Sequence, residues 1–284
     1  MVNNISLESA YREALRLTNS HYENFPVVSL FIPRRLRKHI AVVYQFARQA
    51  DDIADEGKSN CELRIENLEL YRYNFSRSLN GKYQNDFWLA LHNTILEYKL
   101  TPKYFYDLLD AFKQDIYKNR YNSFDEVLNY CERSANPVGR IVLELFDIRD
   151  EESSKYSDAI CTALQLTNFY QDVSIDIKKD RIYIPIDEIE RFGVKLNQFE
   201  LKQNNTNFEQ LLKFQVDRTK DYFSIGRNLF ARLPRKLEKQ IKATVLGGEK
   251  ILEKIGIINY NVLNHRPKLS KIDYMNILLK TLLK

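Results

Sequence analysis

The chain has 284 residues and a mass of 33.7 kDa, enough to bury a substantial core. Apolar residues at 44% and charged residues at 29% describe a globular protein, and no apolar run approaches the roughly 18 residues of a membrane span. A net charge of +5, with the basic residues dispersed and no zinc-finger spacing, argues against nucleic acid and remains compatible with phosphorylated ligands or an anionic membrane surface.

Only 8 Gly and 7 Pro punctuate the chain, too few turn residues for many short strands, so an all-α fold in one domain over residues 1–284 is expected. The opening MVNNISLESAYREAL lacks a basic segment followed by an apolar one, so no secretory signal is visible and a cytoplasmic location is expected. Cys61, Cys131 and Cys161 are odd in number without C-x-x-C spacing, and read as free, buried structural thiols in a reducing compartment.

In chain order, apolar residues recur at helical spacing over 35–56, 103–119, 124–146, 155–178, 207–232 and 235–256. Thr101-Pro102 reads as an N-cap with proline at the first helical position, and Ser123 with Glu126 and Thr206 with Glu209 have capping-box spacing. The stretch KDRIYIPI, 179–186, cannot stay helical into Pro185 and is read as a loop carrying Arg181 and Tyr183. The polar run KQNNTN, 202–207, is a surface loop, and the C-terminal residues 265–284 mix apolar residues with Lys271, Lys280 and Lys284. That segment is expected to pack on the helical body, with rest on a membrane surface as the alternative.

Two acidic clusters carry the chemistry. Asp51, Asp52 and Asp55 lie in AVVYQFARQADDIADE, and Asn168, Asp172 and Asp176 in LQLTNFYQDVSIDIKKDRIYIP. Residues four apart share a helix face, so Asp51 pairs with Asp55, and Asn168, Asp172 and Asp176 form one polar stripe. Asp52 points about 100° away from Asp51 and ranks behind the others. Like charges at this spacing repel, and apolar neighbours such as Val42, Phe46, Leu166 and Phe169 raise the cost. A divalent cation would relieve it, and Mg2+ suits hard oxygen ligands that bridge to phosphate. Solvated helix faces are the plain alternative. Facing clusters in a helical bundle would share metal ions around a diphosphate, with Arg48 and Arg181 as forked donors, and 18 Tyr and 16 Phe could line an apolar chamber for a carbocation. Arg34, Arg35 and Arg37 read as surface arginines, and His21, His39, His92 and His265 show no ligand spacing.

FARQADDIADE together with NFYQDVSIDIKKDRIYIP resembles the paired signatures of the squalene and phytoene synthase family, all-α isoprenoid synthases with a central apolar cavity, over about residues 20–270. The resemblance implies Mg2+ held by Asp51, Asp55, Asn168, Asp172 and Asp176, and diphosphate binding by Arg48, Arg181 and Tyr183. It sets Tyr130, which opens YCERSANPVGR, beside the reacting carbons. Within the family, residues 23–57 and that same stretch are similar to the bacterial hydroxysqualene synthases of hopanoid pathways, the HpnC type. A Val-Ala-Gly-like sequence is usual where this chain has Ser134, Ala135, Asn136 and Pro137, and Ser-x-Ser-Phe where it has Glu23, Asn24 and Phe25. Asn24 and Asn136 could therefore hold a water that captures a cation, or Asn136-Pro137 could simply break a helix. The implied reaction is a carbon–oxygen lysis: presqualene diphosphate loses diphosphate, rearranges and is trapped by water as hydroxysqualene. The resemblance leaves open a head-to-head condensing enzyme making presqualene diphosphate, dehydrosqualene or phytoene, and a non-catalytic assembly factor. It further implies partner enzymes of squalene biosynthesis and peripheral contact with the inner membrane surface.

Overall fold

The computed structural model describes residues 4–21, 31–55 and 60–282, the side chains of 4–6 and 19–21 excepted. Helix is the one regular element among them, as the scarcity of Gly and Pro requires. The chain makes two compact units, Met1–Tyr117 with Pro137–Asp150, and Lys118–Asn136 with Glu151–Lys284.

The first unit contains α1 (Asn4–His21), α2 (Arg34–Asp55), α3 (Cys61–Leu79), α4 (Asp86–Tyr98), α5 (Pro102–Tyr117) and most of α7 (Asn136–Leu145), which follows α6 of the other unit in sequence. Phe46 of α2 is its hub, fully buried with ring centres 5.3 Å from Tyr71, 5.2 Å from Phe75, 6.3 Å from Trp88 and 5.2 Å from Phe105. Edge-on and tilted pairs of this kind suit the ring quadrupoles and lock α2 against α3, α4 and α5. Tyr71 Oη donates toward the carbonyl of Phe46 at 3.2 Å, which fixes the height of α2. Beside this core lies a buried polar knot: Thr94 Oγ1 is 2.9 Å from His39 Nδ1 and 3.0 Å from Tyr11 Oη. Burial lowers the His39 pKa, against the pull of Glu97.

The second unit holds α6 (Phe124–Ser134), α8 (Glu151–Gln171), the short α9 (Val173–Asp176) with a 3-10 turn (Ile177–Lys179), α10 (Ile186–Arg191), α11 (Asn197–Glu200), α12 (Thr206–Gly226), a 3-10 turn (Arg227–Arg232), α13 (Arg235–Ile257) and α14 (Lys271–Leu282). Its core is α8 packed between α12 and α13. The helices meet at glycines: a Cβ on Gly226 would lie 2.4 Å from Ile160 Cγ1 and 3.1 Å from its backbone N, and one on Gly248 would lie 2.7 Å from Phe223 Cζ. A buried ionic network ties α10 to α12. Glu188 accepts from Arg218 Nη1 at 2.5 Å, Arg218 Nη2 at 2.9 Å and Gln215 Nε2 at 2.6 Å, while the guanidinium centre lies 3.3 Å from the Phe124 ring centre.

Several sequence-based expectations need correction. The helix expected over 124–146 is two helices, because Pro137 provides no N–H to continue the ladder and the chain turns at Ala135. The helix over 155–178 ends at Gln171, where Asp172 leaves helical geometry (φ −102°, ψ 9°), and 207–232 ends as a 3-10 turn after Gly226. Asn205, not Thr206, caps α12, its Oδ1 accepting from the N–H of Phe208 at 3.0 Å. Pro102 does open α5, but the Thr101 hydroxyl donates to Glu144 Oε1 at 2.6 Å instead of capping. Ser123 caps α6 as expected. Cys131 is buried and its thiol pushed up to about 12, whereas Cys61, the first residue of α3, is exposed and Cys161 half-buried; none of the three is in a disulfide.

Candidate functional site

The first acidic cluster takes its orientation from the core. Val42, Phe46, Ala50 and Ala54 are buried at four-residue spacing, which turns Arg48, Asp51, Asp52 and Asp55 to the half-exposed side of α2. Arg48 gathers the acids: Nη1 lies 3.6 Å from Asp51 Oδ2 and Nη2 2.6 Å from Asp52 Oδ1. One guanidinium thus spans the angular offset that set Asp52 apart in the sequence, and Asp52 stands with the cluster. At the end of the helix Arg64 Nη1 donates to the Ala54 carbonyl at 2.7 Å, adding positive charge to the turn that carries Asp55.

The second cluster is built from the end of α8 and the chain that leaves it. Although the helix breaks at Asp172, the four-residue rungs persist: Asp172 N–H donates to Asn168 O at 2.9 Å and Asp176 N–H to Asp172 O at 2.9 Å. The polar stripe therefore survives the break, with Asn168 exposed and Asp172 and Asp176 half-buried. Arg181 N–H then donates to Asp176 O at 2.9 Å, which folds the loop back. The loop is pinned from residues 119–122: Ile182 N–H donates to Asn119 O at 3.0 Å, Ile186 N–H to Tyr121 O at 2.9 Å, and Arg120 Nη2 to Asp180 Oδ1 at 2.5 Å. Asp180 itself takes a left-handed turn conformation, φ 56°. As a result Asp176, Arg181 and Tyr183 line one small crevice of about 10 Å³ with Phe169 and Val173.

Aromatic rings close over that crevice. Tyr183 stacks on Phe169 at 3.8 Å with 6° between planes, and lies 5.6 Å from Tyr121 and 5.9 Å from Tyr130. Tyr130 is thus one ring removed from the crevice that Asp176 lines. Such an array offers π-faces to a cation. Asn136 is buried at the start of α7 and its Oδ1 accepts from the Thr162 hydroxyl at 3.1 Å.

Two contributors were not read from the sequence. Tyr121 is fully buried under Tyr183. Arg266 grips Asp172 with a fork, Nε to Oδ1 at 2.5 Å and Nη2 to Oδ2 at 3.1 Å, and Gln171 Nε2 donates to Pro267 O at 2.7 Å beside it. The bond to Asp172 raises the Arg266 pKa against its partial desolvation. The pair is 94 residues apart, so no local pattern could announce it. Among the remaining expectations, Arg34, Arg35 and Arg37 are exposed, His39 is buried, His92 half-buried and His265 exposed; Asn24 lies outside the described residues.

The donor set is carboxylate and amide oxygen, the hard ligands that magnesium takes. Among the described residues no three His, Cys, Asp or Glu side chains converge into a metal cage. Magnesium does not need one, since it is usually held by one or two carboxylates together with waters and phosphate oxygens. The residues fit.

Comparison with known proteins gives the family. Residues 18–273 match the squalene/phytoene synthase family. The chain is 35% identical to a hydroxysqualene synthase of Rhodopseudomonas palustris over 214 residues, 74% of this chain and 71% of that protein. It is 30% identical to a phytoene synthase of Mycobacterium tuberculosis over 233 residues, 81% of this chain and 76% of that one. In structure it is similar to the crystal structure of squalene synthase HpnC from Alicyclobacillus acidocaldarius, with a TM-score of 0.86 and 37% identity, covering 91% of this chain and 97% of that one. Family signatures, fold and all-oxygen acidic clusters coincide on one chain, which belongs to the squalene/phytoene synthase family and is an isoprenoid synthase.

Proposed function

We propose that this enzyme converts presqualene diphosphate and water into hydroxysqualene and diphosphate. The carbon–oxygen bond to the diphosphate breaks with both electrons leaving on oxygen, the cyclopropylcarbinyl cation rearranges, and water adds with loss of one proton. The observation that carries the choice of branch is Asn136. A carboxamide is buried there and bonded to Thr162, six residues after Tyr130, and polar groups in so dry a setting can hold a water for capture. The 35% identity to a hydroxysqualene synthase supports the same reading.

Asp51 and Asp55, with Asn168, Asp172 and Asp176, are the residues that would hold magnesium, which when bound neutralises charge developing on the departing diphosphate. Arg48 and Arg181 present forked donors to phosphate oxygens, and the Tyr183 hydroxyl adds one more. Tyr130, Tyr183 and Phe169 offer aromatic faces to positive charge, and Asn136 orients the water.

Incubation of the purified protein with presqualene diphosphate and Mg2+, without a nicotinamide reductant, should release a C30 alcohol detectable by mass spectrometry. A second reading, head-to-head condensation of two prenyl diphosphates, is favoured by the phytoene synthase relative. Consumption of farnesyl diphosphate alone, with a product that keeps its diphosphate, would replace the first reading by the second.

A further inference from the structure

The last described helix, α14, is held in one rotation. Ser270 and Asp273 form a reciprocal cap, Ser270 N–H donating to Asp273 Oδ2 at 2.7 Å and Asp273 N–H to Ser270 Oγ at 3.2 Å. Lys254 Nζ of α13 lies 2.8 Å from the same carboxylate and Lys250 Nζ 3.9 Å from it. Burial alone would raise the Asp273 pKa, but the bonds from Lys254 and Ser270 outweigh it and hold the group at about 2. With Asp273, Ile277 and Thr281 turned inward and buried, the opposite face has no freedom to roll away from the exterior.

That opposite face is apolar. Ile272, Met275, Leu279 and Leu282 are 65%, 60%, 56% and 50% exposed, a stripe at helical spacing along the whole of α14. No other helix among the described residues exposes four large apolar side chains. On α3, Leu63, Leu70 and Tyr73 are exposed too, but among Glu62, Glu66 and Glu69.

The charge around α14 has the opposite sign. Residues 265–284 contain Arg266, Lys268, Lys271, Lys280 and Lys284 against the single carboxylate of Asp273, a net +4 out of the chain's +5. Arg266 is committed to Asp172, and Lys268, Lys271 and Lys280 are exposed. The acids of α13 nearest this face are already matched: Glu249 accepts from Arg227 Nη2 at 2.5 Å and Glu253 from Lys250 Nζ at 2.6 Å.

From the pinned rotation, the four-residue apolar stripe and its lysine flanks, we infer that α14 lies flat on an anionic lipid bilayer, its stripe at the acyl boundary and its lysines among the headgroups. Charge complementarity selects this occupant, since a second copy of the chain would bring like charge against like. No described helix is long and apolar enough to cross a membrane, so the contact is with one leaflet.

The test is co-sedimentation of the full chain with phosphatidylcholine vesicles and with vesicles in which roughly a third of the lipid is phosphatidylglycerol. Binding is expected to the anionic vesicles only and to weaken by at least about tenfold when salt is raised to about 0.5 M. The combined change Ile272→Gln, Met275→Gln and Leu279→Gln, all at exposed positions, should abolish binding while circular dichroism and Tm stay as in the parent. Lys271→Glu with Lys280→Glu, which keeps the stripe, should lower affinity at least about tenfold. No binding to anionic vesicles, or binding that the triple change leaves intact, overturns the proposal. So does a concentration-dependent dimer in analytical ultracentrifugation that the triple change dissolves while vesicle binding is absent.

Discussion

Glu188→Gln tests whether the buried network between α10 and α12 is an integral part of the second unit. The carboxylate receives three donors, two from Arg218 and one from Gln215, and the two side chains of the ion pair are 18% and 11% exposed for Arg218 and Glu188. An amide in its place leaves the guanidinium without a counter-charge and turns an N–H2 toward other donors. Breaking one side of a buried pair costs about 3–5 kcal/mol. Residual exposure puts this one near 3 kcal/mol, which for a unit of this size lowers Tm by roughly 6–12 °C. Thermal unfolding at neutral pH, followed by circular dichroism, reads the shift. Removing both charges, Glu188→Met with Arg218→Met, should recover most of the loss, because the penalty lies in the orphaned charge. A single-variant shift below about 2 °C, or a double variant as unstable as the single one, would refute the reasoning.

Asp51→Asn and Asp172→Asn should each cut turnover by at least about a hundredfold, with Tm nearly unchanged because both side chains are partly solvated; steady-state assay and thermal unfolding give the two readouts, and unaltered turnover would remove both residues from the site. Arg266→Ala frees the Asp172 carboxylate from its fork and should tighten Mg2+ binding to the substrate-free protein by about fivefold, a coupling of ~1 kcal/mol typical of a partly exposed ion pair; calorimetric titration with MgCl2 that shows equal or weaker binding contradicts the competition. The acid side of the stability profile belongs in part to Asp273. Its carboxylate titrates at about 2 when folded and near 3.9 when unfolded, so its contribution is complete above about pH 4 and disappears as the pH falls toward 2. Asp273→Asn should flatten Tm against pH over that interval, and an unchanged slope would assign the acid sensitivity to other groups.

The helices and the two acidic clusters were legible because they are local: four-residue spacing, a cap at Ser123 and a proline at position 102 act within a turn or two of chain. Pro137 likewise announced a break that the structure places at Ala135. The break at Asp172 was not announced, since FYQDVSI has neither Gly nor Pro and its geometry goes with tertiary bonds from Arg266 and to Pro267. The pairing of Asp52 with Arg48 was not legible, because helical angle describes where a Cβ points, whereas the reach of Arg48 decides which acids it joins. Tyr121 carries no motif at all; it became visible only when residues 119–122 were found hydrogen-bonded along the loop that bears Tyr183.

Gly226 has a bearing on how such an enzyme could change its preference. With no space for even a methyl group against Ile160, any larger residue at 226 would push α12 away from α8. The helix whose end bears Asn168 and Asp172 is thus held against α12 at van der Waals contact. Under the proposed function, a change of preferred substrate length would come more readily from exchanging individual side chains for bulkier or slimmer ones, in discrete steps, than from moving this pair of helices.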